Sequence, residues 1–91
     1  SLRRGAAEAM EAVVRGDAKS SNLAGRRVDH VKLPPGTRIG AIVRGQGPTS
    51  QVLMPHHDTV IETGDHLVVF IPNKRQVREM ERLFQVSATF F

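Results

Sequence analysis

Ninety-one residues without a cysteine suffice for one small domain with a thin core, one that buries about 60–65% of the surface its unfolded chain exposes. With 40% hydrophobic and 24% charged residues, the chain has an ordinary globular balance that excludes disorder, and the lack of cysteine excludes disulfides and thiolate metal sites. The net charge of +4 invites an anionic partner, yet the excess lies in residues 1–44, where nine Lys/Arg oppose four Asp/Glu, while residues 45–91 hold four against five. It comes as dispersed pairs such as Arg3-Arg4 and Arg26-Arg27, with no aromatic between them, so a base-stacking surface has little support. The longest apolar run, residues 67–71, is far short of the roughly 20 residues a membrane-spanning helix needs. The chain opens on Ser1 without Met and is expected to be a piece of something longer.

The first segment, residues 5–16, carries two competing periods. Ala6, Ala9, Met10, Val13 and Val14 follow helical spacing, while Glu8, Met10, Ala12 and Val14 alternate with Ala7, Ala9, Glu11 and Val13 as in a strand; local pattern favours helix. Residues 17–22 are polar and turn-like. Leu23, Val28, Val31 and Leu33 suit a short helix or an irregular packed segment, which Pro34-Pro35-Gly36 ends. Thereafter the chain reads as β. Residues 39–43 form a strand stopped by Gly45-Gln46-Gly47-Pro48, and residues 51–54 form a short second one. Glu62-Thr63-Gly64-Asp65 is a tight turn in which Gly64 supplies a positive φ. Residues 67–71, apolar at every position, predict a central strand buried on both faces. Asn73 is then an N-cap, with Gln76 placed for a reciprocal capping box, and Val77, Met80, Leu83 and Phe84 make the apolar stripe of a helix. Arg75 and Glu79 are spaced for an ion pair on its outer face. The Phe90-Phe91 pair is expected to dock on the domain or on a second copy.

Chemistry-bearing groupings are sparse. His56-His57-Asp58 would need a sharp turn to aim both imidazoles at one ion, and no further ligand pair stands at suitable spacing, so a solvated loop is favoured and no metal site is assigned. His66 beside Asp65 lacks a nucleophile partner, and Asp65 reads as a turn-stabilising side chain. Gly45-Gln46-Gly47 lacks the third glycine and the following helix of a dinucleotide fingerprint. No carboxylate pair stands out for acid/base work, and nothing reads as an enzyme.

The ordered set LPPGTRIGAIVRG (residues 33–45), the Met54-Pro55 turn, DTVIETGDHLVVF (residues 58–70) and a closing helix resembles the TrkA-C (RCK_C) family of regulatory domains; RRGAAEAMEAVVRGD (residues 3–17) and MERLFQ (residues 80–85) extend the likeness to bacterial potassium-uptake subunits. The resemblance implies an α+β fold, a sheet of about four to five strands with a short helix and a C-terminal helix. It decides residues 5–16 for strand, against local propensity. It implies a linker over residues 1–6, the regulatory domain over residues 7–85 and a tail over residues 86–91. It further implies a cytoplasmic homodimer or higher homo-oligomer, peripheral on the inner membrane, that controls an integral-membrane K⁺ transporter. NAD(H) or an adenine nucleotide is expected in a preceding domain, with no cofactor in these residues, no catalytic residue and no nucleic-acid partner. Should a small anion bind here, Arg44 after the apolar strand and His56 in the Pro55 turn are the candidates. A basic nucleic-acid module and a free-standing small-ligand sensor are the alternatives.

Overall fold

The computed structural model describes residues 7–85 and the backbone of residues 89–90. The fold is α+β. Five strands form one sheet: β1 (Glu8–Val13), β2 (Arg38–Arg44), β3 (Gln51–Leu53), β4 (His66–Ile71) and β5 (Thr89–Phe90), in the order β3-β2-β4-β1-β5. All neighbours run antiparallel, and a single helix, α1 (Val77–Phe84), follows β4. The linker expected over residues 1–6 lies outside the described residues, as do Phe91 and residues 86–88 of the tail; residues 89–90 extend the sheet beside β1.

Residues directly opposed in an antiparallel pair share a face, so the register sorts the sheet into two. Met10, Val69 and Ile39 line one face, with Ala12, Leu67 and Ile42 in the next row, and all six are buried. Against them lie Met80 and Phe84 of α1 and the segment of residues 17–33, which contributes Leu23, Ala24, Val28, Val31 and Leu33. That segment is irregular, with one 3-10 turn at Val28–His30, the second of the two forms its spacing allowed. It is laced to residues 57–61 by backbone bonds, Val28 N–H to Thr59 O and Ile61 N–H to Arg26 O among them. The Asn22 side chain, donating to Leu83 O, ties it to α1.

β1 is a strand although its local pattern favours a helix. Its six residues each pair with one of β4, Glu8 with Ile71 through Val13 with His66, and alternate burial of Met10, Ala12 and Val14 outweighs a propensity difference of a few tenths of a kcal/mol per residue.

Two expectations near β4 need correction. The strand is central, but Leu67, Val69 and Ile71 are buried whereas Phe70 is 43% exposed: no described residue forms a layer over the second face, so apolar character there does not ensure burial. The box around Asn73 does not close either. Asn73 Oδ1 accepts from Arg75 N–H and caps a 3-10 turn, Lys74–Gln76, that precedes the α-helix. The Gln76 amide instead reaches Pro35 O, and no ion pair joins Arg75 to Glu79 among the described residues, since Arg75 stands in the 3-10 turn ahead of the helix.

Candidate functional site

The Glu62-Thr63-Gly64-Asp65 turn anchors the first notable grouping. Gly64 sits at φ +90°, a conformation that strains any side chain-bearing residue, and Asp65 accepts from Glu62 N–H through Oδ2. The carboxylate of Asp65 is buried to 1% exposure. A buried carboxylate is costly unless a cation and hydrogen bonds compensate it. Arg44, at the end of β2, supplies both: Nε donates to Asp65 Oδ1 and Nη2 to Asp65 Oδ2, each at 2.9 Å. Nη2 also donates to Val60 O at 2.9 Å, and Nη1 lies 3.0 Å from Glu62 Oε2. All three guanidinium nitrogens are therefore engaged. The hydrogen bonds that Arg44 donates to Asp65 raise it above the ordinary arginine value against the opposing effect of burial, and the charges of Asp65 and Glu62 add to the rise.

His56, the other anion candidate, is exposed in a turn where its N–H donates to Thr59 Oγ1 and its C=O accepts from Thr59 N–H. No hydrogen bond or ion pair joins it to Arg44 among the described residues, so the two candidates do not form one constellation. Nearby, Asp29 is gripped by Arg27 through two bonds of 3.0 and 2.8 Å, with His30 Nε2 at 3.9 Å. Those hydrogen bonds lower Asp29 below 3.8 against slight burial, and the charges of Arg27, His30 and His57 act in the same direction. No group of three or more His, Cys, Asp or Glu among the described residues could hold a metal ion. His66 turns away from Asp65, as adjacent strand residues must, and its Nδ1 lies 3.3 Å from Glu11 Oε2 across the strands.

The second grouping is the uncovered face of the sheet. Register places Ala9, Phe70 and Arg38 in one row, Glu11, Val68 and Ala41 in the next, and Val13, His66, Val43 and Val52 in the third. Val52 and Phe70 are exposed at 69% and 43%. A bulge between Ile39 and Ala41 inserts Gly40, and a Cβ there would overlap the Phe70 ring: the ring lies across β2 only because this residue has no side chain. Beside the ring, an open apolar hollow of about 280 Å³ is lined by Ala7, Glu8, Gly36, Arg38, Ile71 and Pro72. The face holds one ion pair, Glu11 with His66, and Arg38 at its rim. Sequence reading missed it because unbroken apolar character in residues 67–71 was taken as burial; the glycine within residues 39–43 was the available clue to a ring lying flat on the strand.

Among the described residues, one sheet is covered on one side by a short helix and an irregular segment and leaves a largely apolar face on the other, the architecture of a small α+β domain. The chain belongs to the TrkA-C domain family, whose model matches residues 17–85; β1, which precedes the matched span, is nonetheless part of the same sheet. It is 54% identical over 91 residues to the Trk system potassium uptake protein TrkA of Halomonas elongata. It is 56% identical over 90 residues to the protein of the same name from Vibrio alginolyticus, and 43% identical over 89 residues to that of Haemophilus influenzae. These alignments take in 98–100% of the chain but 19% of each relative, so the chain spans about one fifth of the length of the curated relatives it matches. No helix among the described residues is long and apolar enough to cross a membrane.

Proposed function

We propose that this chain is a regulatory domain of a bacterial potassium uptake system, acting on the cytoplasmic side of the membrane as a self-associating module that helps gate an integral-membrane K⁺ transporter. The names of the relatives support the potassium-uptake part. The observation that supports self-association is the uncovered sheet face, with Phe70 held flat over Gly40 and Val68 and Val43 beside it. Two such faces stack about 10 Å apart in sheet-on-sheet packing, and a two-fold arrangement brings the same patch of each copy together. The face carries few ionisable groups, Glu11 beside His66 and Arg38 at its rim, so a strongly charged partner finds little to complement.

Within this reading the nucleotide is bound by a part of the protein outside these residues, and residues 7–85 form the regulatory unit. Arg44 holds the turn at Asp65 and leaves no guanidinium nitrogen for a ligand, whereas His56, on an exposed turn, is the better placed of the two for a small anion. A shift in the spacing of the paired domains passes to the transporter through the chain that joins them.

Sedimentation of the 91-residue chain, with Val68→Glu beside it, tests the pairing. A dimer that becomes a folded monomer in the variant is the expected result; a wild-type monomer at high micromolar concentration overturns it. Potassium uptake in cells carrying the same substitution in the whole protein tests the regulatory part, and unchanged uptake with a monomeric domain overturns the proposed link between pairing and gating.

A further inference from the structure

The charge excess is not spread evenly over the described residues. Residues 15–32 and the 56–61 loop hold Arg15, Lys19, Arg26, Arg27 and Lys32 against Asp17, Asp29 and Asp58, with three of the four histidines in addition; the other described residues hold six Lys/Arg and six Asp/Glu. Within this set the structure brings the turn of Lys19, residues 25–29 and the 56–61 loop together. Arg26 and Ile61 are joined by a backbone bond, as are Asp29 and His57, and a Cβ built on Gly25 would stand 3.3 Å from Ala18, which draws the turn of Lys19 against Arg26. Asp29 is already neutralised by Arg27. Lys19, Arg26 and Lys32 are exposed and have no carboxylate partner among the described residues. This surface belongs to the cover segment, on the opposite side of the sheet from the apolar face, so it stays outside when two sheets stack.

We propose that this basic cover is a docking surface for an anionic lipid bilayer. Its cations are exposed and dispersed, with no aromatic among residues 15–32 and 56–61, so they offer no stacking platform for nucleic-acid bases. A fluid anionic surface needs none, because it attracts clustered cations within a Debye length of about 10 Å. The inference rests on the membrane-side placement above. It adds a second contact, direct and electrostatic, that orients the domain with its cover toward the headgroups.

The test is co-sedimentation of the 91-residue chain with phosphatidylcholine vesicles, plain or containing one third phosphatidylglycerol. The expected result is binding to the anionic vesicles alone, lost when added salt shortens the Debye length to about 3 Å. Arg26→Gln and Lys32→Gln should each weaken it about fivefold. Lys74→Gln removes the same charge from the exposed 3-10 turn after β4, outside both surfaces, and should leave it unchanged, with circular dichroism confirming that each variant is folded. Equal binding to uncharged vesicles, an equal loss in Lys74→Gln, or tighter binding to duplex DNA than to the anionic vesicles would each overturn the proposal. Pairing is read by sedimentation without vesicles and docking by vesicles, so the two readings fail separately.

Discussion

Arg44 is a residue whose loss the fold tolerates poorly, because its removal strands a charge that is not its own. Asp65 is 1% exposed, and without the guanidinium its carboxylate keeps only the Glu62 N–H bond. Arg44→Gln should destabilise the domain by about 3 kcal/mol, the low end for breaking a buried pair, since Arg44 itself is 29% exposed. Arg44→Lys keeps the charge but cannot make the two parallel bonds and should fall between, by chemical denaturation. The rise at Arg44, caused first by its hydrogen bonds to Asp65, gives a contribution that is complete below the ordinary arginine value and is lost only as strongly alkaline pH climbs through the folded one. Asp17 and Asp29 behave oppositely. Asp17 is lowered first by the Ser20 N–H bond, then by those of Lys19 N–H and the Ser20 hydroxyl, and Asp29 is lowered first by the Arg27 bonds. Their contributions are complete above the unfolded value of 3.8 and vanish as pH falls through the lower folded values. Replacing both with Asn should flatten the acid limb of a stability–pH curve below about pH 4 and leave the alkaline limb unchanged; identical acid limbs would contradict the assignment.

At the scale of elements, α1 and β2 answer differently to substitution. Met80, fully buried between α1 and the sheet, should cost about 2–5 kcal/mol as Met80→Ala, a large share of the about 5–15 kcal/mol that holds a domain together, and thermal melting would show it. Gly40→Ala displaces the Phe70 ring, but that ring is half exposed and can swing into solvent. The change also gives the bulge a residue with less backbone entropy to lose. Folding should therefore shift by less than about 1 kcal/mol, while self-association weakens at least tenfold; a stable variant that still pairs would remove Phe70 from the interface. What the sequence made legible follows the same division. The helix stripe, the turn at Gly64 and the strand at residues 67–71 are local patterns, and each was readable. The strand nature of β1 is not legible in the local pattern, because Ala, Glu and Met satisfy two periods; the family resemblance pointed to strand, and pairing with β4 is the physical reason it holds. Arg44 and Asp65 are 21 residues apart, a contact that no local pattern encodes, so both were visible as polar residues but not as partners. The two-sided burial expected of β4 fails for a different reason: hydrophobicity marks what avoids water without saying what covers it, and no described residue layers over the Phe70 side of the strand.

For the whole molecule, pairing through the open face, as proposed, would make stability a function of concentration. A chain of this length has a thin core, and the described core rests on one side of one sheet. Phe70 is 43% exposed and Val52 69%, so covering Phe70 adds under half of the about 1.5–3 kcal/mol that a full burial is worth, Val52 adds a larger fraction of its own, and the half-buried Val68 and Val43 add less. If the folded dimer is the stable species, unfolding releases two chains, and each tenfold rise in protein concentration stabilises the dimer by about 1.4 kcal/mol. Shared between two domains of this size, that raises the melting temperature by roughly 3–5 °C per decade. Val68→Glu sets a carboxylate in the middle of the face beside Glu11, at a position that one copy leaves half open to water. The variant should fold, melt at a temperature independent of concentration, and coincide with wild type at high dilution. Calorimetry over two decades of concentration separates the possibilities: parallel, concentration-independent curves for both proteins would mean that the open face stays wet and that the apolar row of Phe70, Val68 and Val43 serves a partner other than a second copy.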